Sequence, residues 1–385
     1  MASLKLLLGL IPSTSKIEQA EKALITEFEK LKTLSESDKL ARYNELNEKV
    51  NSAGFFQKKK EIEYLKYKNS TEFDKEKEYQ KLQKTKNIHD DSQRLKRYNE
   101  LKEYIVSEEF KKRKNYLLDK KRFERTEMFK ELREYNMLKK DKEIIWYFKT
   151  KDSNKYDILK TRELTFSDEF DGDKLDTSKW IPNYYWGEKL LHDRYSVEHD
   201  LQAYTEKENF EIRNSVLKII TRRQKTIGKV WINDKGFAMK ELDYTSGIIC
   251  SGANFRQKYG IFQAKIKLGN TNAKSAFWML ADKITPHIDV CKTSNGKIWF
   301  DLFPLKGDGV KTSLKSKYAS DFYIFTLEWT VDKLIWKINN TEVFTQTSNI
   351  PQDPMYILLS GGLDKPINET TSMEIDWIRV YQPKK

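Results

Sequence analysis

From residue 16 to residue 145 apolar side chains recur every three or four positions, with Gly54 the one glycine and no proline. That period puts them on one stripe of an α-helix. The pattern also repeats at longer range. Ser37-Asp-Lys-Leu40 leads into Arg42-Tyr-Asn-Glu-Leu46 and then Ser52-Ala-Gly-Phe55. At an offset of 55 residues, Ser92-Gln-Arg-Leu95 leads into Arg97-Tyr-Asn-Glu-Leu101 and Ser107-Glu-Glu-Phe110. Ser70-Thr-Glu-Phe73 and Thr126-Glu-Met-Phe129 follow at nearly the same offset. Each motif sets a hydroxyl three residues before an apolar side chain, the signature of a helix N-cap, with acids near the positive end of the helix dipole. The prediction is a chain of short helices, about 12–18 residues each, that bury their stripes against neighbours. Tyr43, Leu46, Tyr98 and Leu101 are the expected stripe.

Beyond residue 160 the period changes. Segments become β-branched and aromatic and are broken by Gly, Asn, Asp and Pro, which predicts strands. Ala276-Phe-Trp-Met-Leu280 reads as a buried strand, and Pro286-His-Ile-Asp-Val-Cys-Lys292 as its partner. His287 and Asp289 alternate with Ile288 and Val290, so the two polar side chains share a face. One extra residue bulged near Cys291 would bring Lys292 onto that face as well.

These strands resemble the active-site region of the family-16 glycoside hydrolases, laminarinase-like β-jelly-roll enzymes whose pattern is Glu-x-Asp-x-x-Glu after a Phe-Trp-Met-Leu-type run. Leu164 to Gly172, Leu175 to Trp180, Tyr244 to Gly247, Tyr259 to Leu268, Phe325 to Trp329 and Ile375 to Tyr381 resemble further strands of that family in the same order. The fold class expected is therefore multi-domain, α plus all-β: a helical-repeat array followed by a concanavalin-like β-jelly-roll sandwich. The domains expected are an apolar segment at residues 1–15, a helical arm at 16–148, a linker at 149–163 and the jelly roll at 164–385.

The departures from the family fall on its chemistry. His287 stands at the nucleophile position and Lys292 at the acid/base position; Asp289 alone remains. A retaining glycosidase needs two carboxyl groups about 5–5.5 Å apart, and neither an imidazole nor an ammonium forms the usual glycosyl ester. The residues thus predict a degenerate site and no catalysis: a pseudo-glycosidase that serves as a structural or carbohydrate-binding module. The alternative is an active glycoside hydrolase of β-glucan-like polysaccharides with relocated carboxylates, Asp289 with Asp301 or with Glu241. A lysine and a serine, Lys274 and Ser275, stand near where the family often has a tryptophan, and Asp200 replaces the first Glu of a Glu-x-Gln-x-Tyr strand.

The resemblance also implies a glycan cleft. Tyr184, Tyr185, Trp186, Tyr204, Trp278 and Trp299 are the aromatic candidates to line it, with Gln202 as a polar one; core packing is the other reading of each. It further implies a structural Ca²⁺ held partly by Glu169 and Asp376, for which hard oxygen ligands suit; ordinary surface carboxylates are the alternative. No catalytic cofactor is expected, since His89, His192, His199 and His287 show no ligand spacing, and Cys250 and Cys291 make no disulfide framework.

Charge adds little to this. The net charge is +13, and residues 1–160 carry 39 basic against 29 acidic groups. The signs are interspersed and no groove-reading or base-stacking module is present, so nucleic acid is not an expected partner. No hydrophobic run reaches the roughly 20 residues that span a membrane. Leu4 to Ile11 admits three readings: a poor signal peptide with one lysine and no clear cleavage site, a plug that docks the chain onto a partner, or a core helix. A helical arm ahead of a lectin-like domain is expected to dock the jelly roll to a larger, oligomeric assembly, by architectural analogy a tailed-phage virion or tail component.

Overall fold

In the computed structural model, which describes residues 4–86, 88–185, 194–232 and 234–384, the N-terminal motifs become capped helices. Two units are separable, Thr26–Lys155 and Met1–Ile25 with Tyr156–Lys385. In the first, Asp38–Val50, Ala53–Tyr64, Thr71–Gln83, Ser92–Val106, Glu108–Leu118, Glu127–Leu138 and Lys142–Thr150 are helical. The hydroxyls of Ser37, Ser52, Ser70, Ser107 and Thr126 each accept from the amide three residues on at 3.2 Å. Ser92 is different. It is the first helical residue, and Asp91 before it caps the helix, its Oδ1 accepting from both Gln93 and Arg94 amides. A carboxylate one position earlier takes two orphan donors where a hydroxyl takes one.

The repeat is a repeat of packing too. Leu46 and Leu101 are buried, Tyr43 stacks on Tyr135 and Tyr98 on Tyr79. Arg122 holds this unit together at one point. Its guanidinium is buried and donates to the carbonyls of Ile62, Glu63 and Leu65 at the end of one helix and of Leu117 and Asp119 at the end of another. Terminal helix carbonyls lack intrahelical partners, so one side chain satisfies two helix ends.

The second unit is a sandwich of an eleven-stranded and a six-stranded sheet. The smaller sheet runs, in spatial order, Val310–Lys315, Lys297–Phe303, His287–Ser294, Ala273–Leu280, Tyr356–Leu363, Ile248–Cys250. Alternation places the strands: Gly260–Lys267 buries every second residue, and Phe262, Phe277, Ile288, Phe300, Phe325, Trp329 and Trp336 meet between the sheets. Helices followed by a β-jelly roll are thus the architecture.

Two boundaries differ from expectation. Residues 1–15 do not stand apart from the jelly roll: Leu6 is fully buried in its core, and the Tyr318 hydroxyl donates to the Leu6 carbonyl. Asn339 donates to the Pro12 carbonyl at 3.0 Å, and the Trp377 indole donates to Glu18 at 3.1 Å. Leu8 and Leu10 of the same run stay exposed. Residues 149–163 are likewise no plain linker; they hold a helix end, the fully buried Tyr156, the short helix Asp157–Thr161 and the start of strand Arg162–Asp168. No helix among the described residues is long and apolar enough to cross a membrane.

Because Arg122 closes two helix ends at once, replacing it with methionine keeps bulk and removes five donors. Arg122→Met should destabilise the helical unit by about 2–3 kcal/mol. A urea titration of the full chain followed by far-ultraviolet circular dichroism checks this; an unchanged helical transition would show that the carbonyls find other partners.

Candidate functional site

The site is made by a bulge in the His287–Ser294 strand. Asp289 pairs with Trp278 on one side, but the next pair is Cys291 with Phe277 rather than Val290, so one residue is extra. On the other side Asp289 faces Asp301 and Lys292 faces Trp299. Val290 and Cys291 both go into the core, and Lys292 emerges on the outer face beside His287 and Asp289, as the alternation suggested. A residue far away in sequence secures the bulge. Trp336, on the opposite sheet, donates its indole N–H to the Asp289 carbonyl at 3.0 Å. No local sequence signal points to that contact.

Asp289 lies at the bottom of the row, 1% exposed, and both of its oxygens are engaged. Oδ1 is 2.9 Å from His287 Nε2, and Oδ2 accepts from the Lys292 ammonium. Lys292 also reaches Asp301 Oδ2 at 3.3 Å, while Asp301 Oδ1 is buried without a partner. Burial alone would push Asp289 up, but the charges and hydrogen bonds of His287 and Lys292 outweigh it and hold the carboxyl at about 2. Burial likewise opposes the Lys292 charge, and Asp289 and Asp301 more than restore it, so its pKa is raised. Asp301 moves the other way from Asp289: burial, which Lys292 only partly offsets, and the neighbouring Asp289 charge raise it. Glu241, the other relocated carboxylate considered, sits on the exposed Gly236–Ser246 strand beside Lys225 and is not part of the row.

The expected glycan-lining residues divide. Tyr184, Tyr204 and Gln202 are interior rather than lining. The chain around residue 184 folds onto the outer face of the sheet, where Tyr184 and Tyr204 join Tyr195, Ile248, Leu280 and Tyr356 in an apolar cluster. Gln202 uses its side chain on the Leu363 amide and the Tyr204 hydroxyl. Trp278 is half-buried, its ring 4.8 Å from His287 and its indole donating to Ser360. Trp299 is also half-buried, and Tyr185 is exposed beside Arg256. Trp186 lies outside the described residues. The ammonium of Lys274 lies 3.7 Å from Asp200 and 2.9 Å from Asp364.

The residues considered for Ca²⁺ do not fit one. Both Glu169 oxygens accept from the Arg379 guanidinium at 2.8 and 2.9 Å, and Asp376 pairs with Lys265 at 2.8 Å. A cation already occupies the place of the metal at each carboxylate, and no cluster of three or more His, Cys, Asp or Glu suited to a metal occurs among the described residues.

With this geometry in view, residues 197–379 match the model of the family described as Glycosyl hydrolases family 16. That match spans a little under half of the chain and most of the jelly roll, which is similar to family 16 in sequence there. Endo-1,3-1,4-beta-glycanase EglC of Rhizobium meliloti (strain 1021) is 25% identical over 244 residues, covering 56% of this chain and 51% of the relative. Glucan endo-1,3-beta-glucosidase A1 of Niallia circulans is 26% identical over 267 residues, 57% of this chain and 38% of the relative. The chain thus spans about half or less of the length of these relatives. Among solved structures, the laminarinase catalytic domain from Thermotoga maritima MSB8 is similar with a TM-score of 0.46 and 21% identity, over 58% of this chain and 100% of that one. The expectation of a non-enzyme, drawn from His287 and Lys292, is corrected here: the relatives matched are by name an endo-beta-glycanase and a glucan endo-beta-glucosidase, and they point to an enzyme.

The row predicts a pH signature. Asp289 has a folded pKa below its unfolded value, so its contribution is present above about pH 4 and is lost as pH falls towards about 2. Asp289→Asn, which leaves Lys292 with a weakened partner, should cost about 3 kcal/mol at neutral pH. The gap from the unsubstituted chain should narrow steadily below about pH 4. Chemical unfolding followed by tryptophan fluorescence across that range checks both; a gap independent of pH would mean that the Asp289 charge is not what holds the row.

Proposed function

We propose that the family-16 domain binds and hydrolyses a β-glucan-like polysaccharide on the sheet face carrying His287, Asp289, Lys292 and Asp301. One observation supports this above the others. Asp289 and Asp301 are direct cross-strand neighbours, and their proton affinities are displaced in opposite directions. Such divergence suits Asp301 to carry the proton and Asp289 to stay ionised and orient a neighbour. The similarity to endo-β-glycanases supplies the substrate class.

A double displacement is not open to this row, because the two oxygens of Asp289 are held by His287 and Lys292. A single displacement is. Asp301, whose proton affinity burial raises, gives its proton to the glycosidic oxygen as the bond to the anomeric carbon breaks, once its carboxyl, 5% exposed, turns out from beside Lys292. His287, oriented by Asp289, takes a proton from the water that attacks that carbon from the other side. The product is then the inverted anomer. Lys292, between the two carboxylates, keeps Asp289 ionised, and Trp278 beside His287 offers a flat apolar face to a sugar ring.

The test is sugar release from laminarin and lichenan by the full chain, with the anomer of the first product read by proton NMR. Turnover with inversion is expected, reduced about 100-fold or more in Asp301→Asn and in His287→Gln. The rate should fall on the alkaline side as Asp301 loses its proton. An absence of turnover above buffer, or turnover indifferent to both substitutions, would sink the proposal.

A further inference from the structure

Beside the row, the outer face of the sheet carries a group of lysines that the proposed chemistry does not use. Cross-strand pairing sets Trp299 next to Lys292 on one side and Ser313 on the other, and sets Lys297 opposite Lys315 and Asp301 opposite Lys311. Residues paired across strands point to one face, so Lys297, Lys311 and Lys315 surround the Trp299 ring. The Lys297 and Lys311 ammonium groups lie 5.6 and 5.8 Å from its centroid. All three lysines are exposed, and none has a carboxylate partner among the described residues. The acids of this face, Asp289 and Asp301, are buried beneath it at 1% and 5% exposure, and Lys292 is bonded to both. From residue 283 to 317 the chain holds seven lysines, three aspartates and no glutamate. What this face shows to solvent is therefore a flat ring framed by uncompensated positive charge.

We infer that the β-glucan-like polysaccharide taken by this domain bears anionic substituents, sulfate or carboxylate groups spaced along its pyranose backbone. This rests on the glycan reading above and narrows it. A pyranose packs its C–H face on Trp299 while the flanking ammonium groups meet the acidic substituents, and unpaired surface charge of one sign steers a ligand of the other. The alternation of lysine and aromatic suits a saccharide chain better than nucleic acid, since one half-buried indole offers no run of stacking platforms for successive bases. At one end the face adjoins a polar hollow of about 550 Å³ lined by Asn270, Asn272, Asn295, Lys365 and Glu369. Asn295 lies in the same strand turn whose Ser294 carbonyl accepts from the Trp299 indole. Side-chain amides there can both donate to and accept from sugar hydroxyls.

Affinity electrophoresis of the full chain in gels containing κ-carrageenan, polygalacturonate or neutral laminarin tests this, with single-stranded polyadenylate as a fourth probe. The two anionic gels distinguish sulfate from carboxylate recognition. The expected result is retardation by at least one anionic glycan, weakened by salt and about tenfold weaker in Lys297→Gln/Lys311→Gln/Lys315→Gln and in Trp299→Ala. A control with Lys58, Lys60 and Lys112, all exposed in the helical unit, changed to glutamine removes equal charge and should leave retardation unchanged. Retardation by laminarin that the triple variant does not alter overturns the anionic inference and leaves the proposed function standing. No retardation by any polysaccharide overturns both. Equal loss in the control, or stronger retardation by polyadenylate, shows general polyanion binding and overturns the inference.

Discussion

The outer face of the jelly roll depends on one buried carboxylate. Asp289 lies at the floor of the row with His287 on one oxygen and Lys292 on the other. A lone carboxylate at that depth would cost several kcal/mol, and a lone lysine would deprotonate or swing away. Each side chain is tolerable there because the others are present. The bulge is what lets them meet: without the extra residue, Lys292 would fall on the core face and Cys291 on the outer one. The indole of Trp336 fixes the Asp289 carbonyl from the far sheet, so the packed core and the polar row constrain each other.

The cations nearest the row, His287, Lys292 and Lys274, are each matched locally by a carboxylate. His287 and Lys292 close on Asp289. Lys274 closes on Asp200 and Asp364, and Ser294 donates to Asp364 as well. The same carboxylates that neutralise Lys292 leave Lys297, Lys311 and Lys315 without partners. Charge at this face is thus sorted by depth, acids beneath and lysines above. The polar row on the sheet is therefore mixed, a histidine and a lysine closing on two aspartates.

How far the sequence could be read follows from the range of each interaction. Helix caps are local, and Ser37, Ser52, Ser70, Ser107 and Thr126 were legible from spacing; the competition between Asp91 and Ser92 was not, because both are good caps. The period-2 alternation around Ile288 showed the shared face of His287 and Asp289 and the need for a bulge. Burial of Leu6 depends on Tyr318, more than 300 residues away in the chain, so an apolar run alone gave no partner. Tyr184, Tyr204 and Gln202 looked like cleft residues because composition does not separate an aromatic facing a ligand from one facing its own chain. Glu169 and Asp376 resembled metal ligands for a similar reason: their cations, Arg379 and Lys265, come from other strands or other registers. The inference from His287 and Lys292 to missing catalysis went too far, since it weighed two positions and not the likeness of residues 197–379 to a hydrolase family.

The central claim, that Asp289 and its cations stand or fall together, is tested most directly by a double-mutant cycle. Asp289→Asn, Lys292→Met and the two combined would be compared with the unsubstituted chain in urea unfolding at neutral pH. Mutual dependence predicts that the double substitution costs less than the sum of the single ones by roughly 1–3 kcal/mol. Strict additivity, within about 0.3 kcal/mol, would contradict it and show that the row is a set of neighbours without energetic coupling.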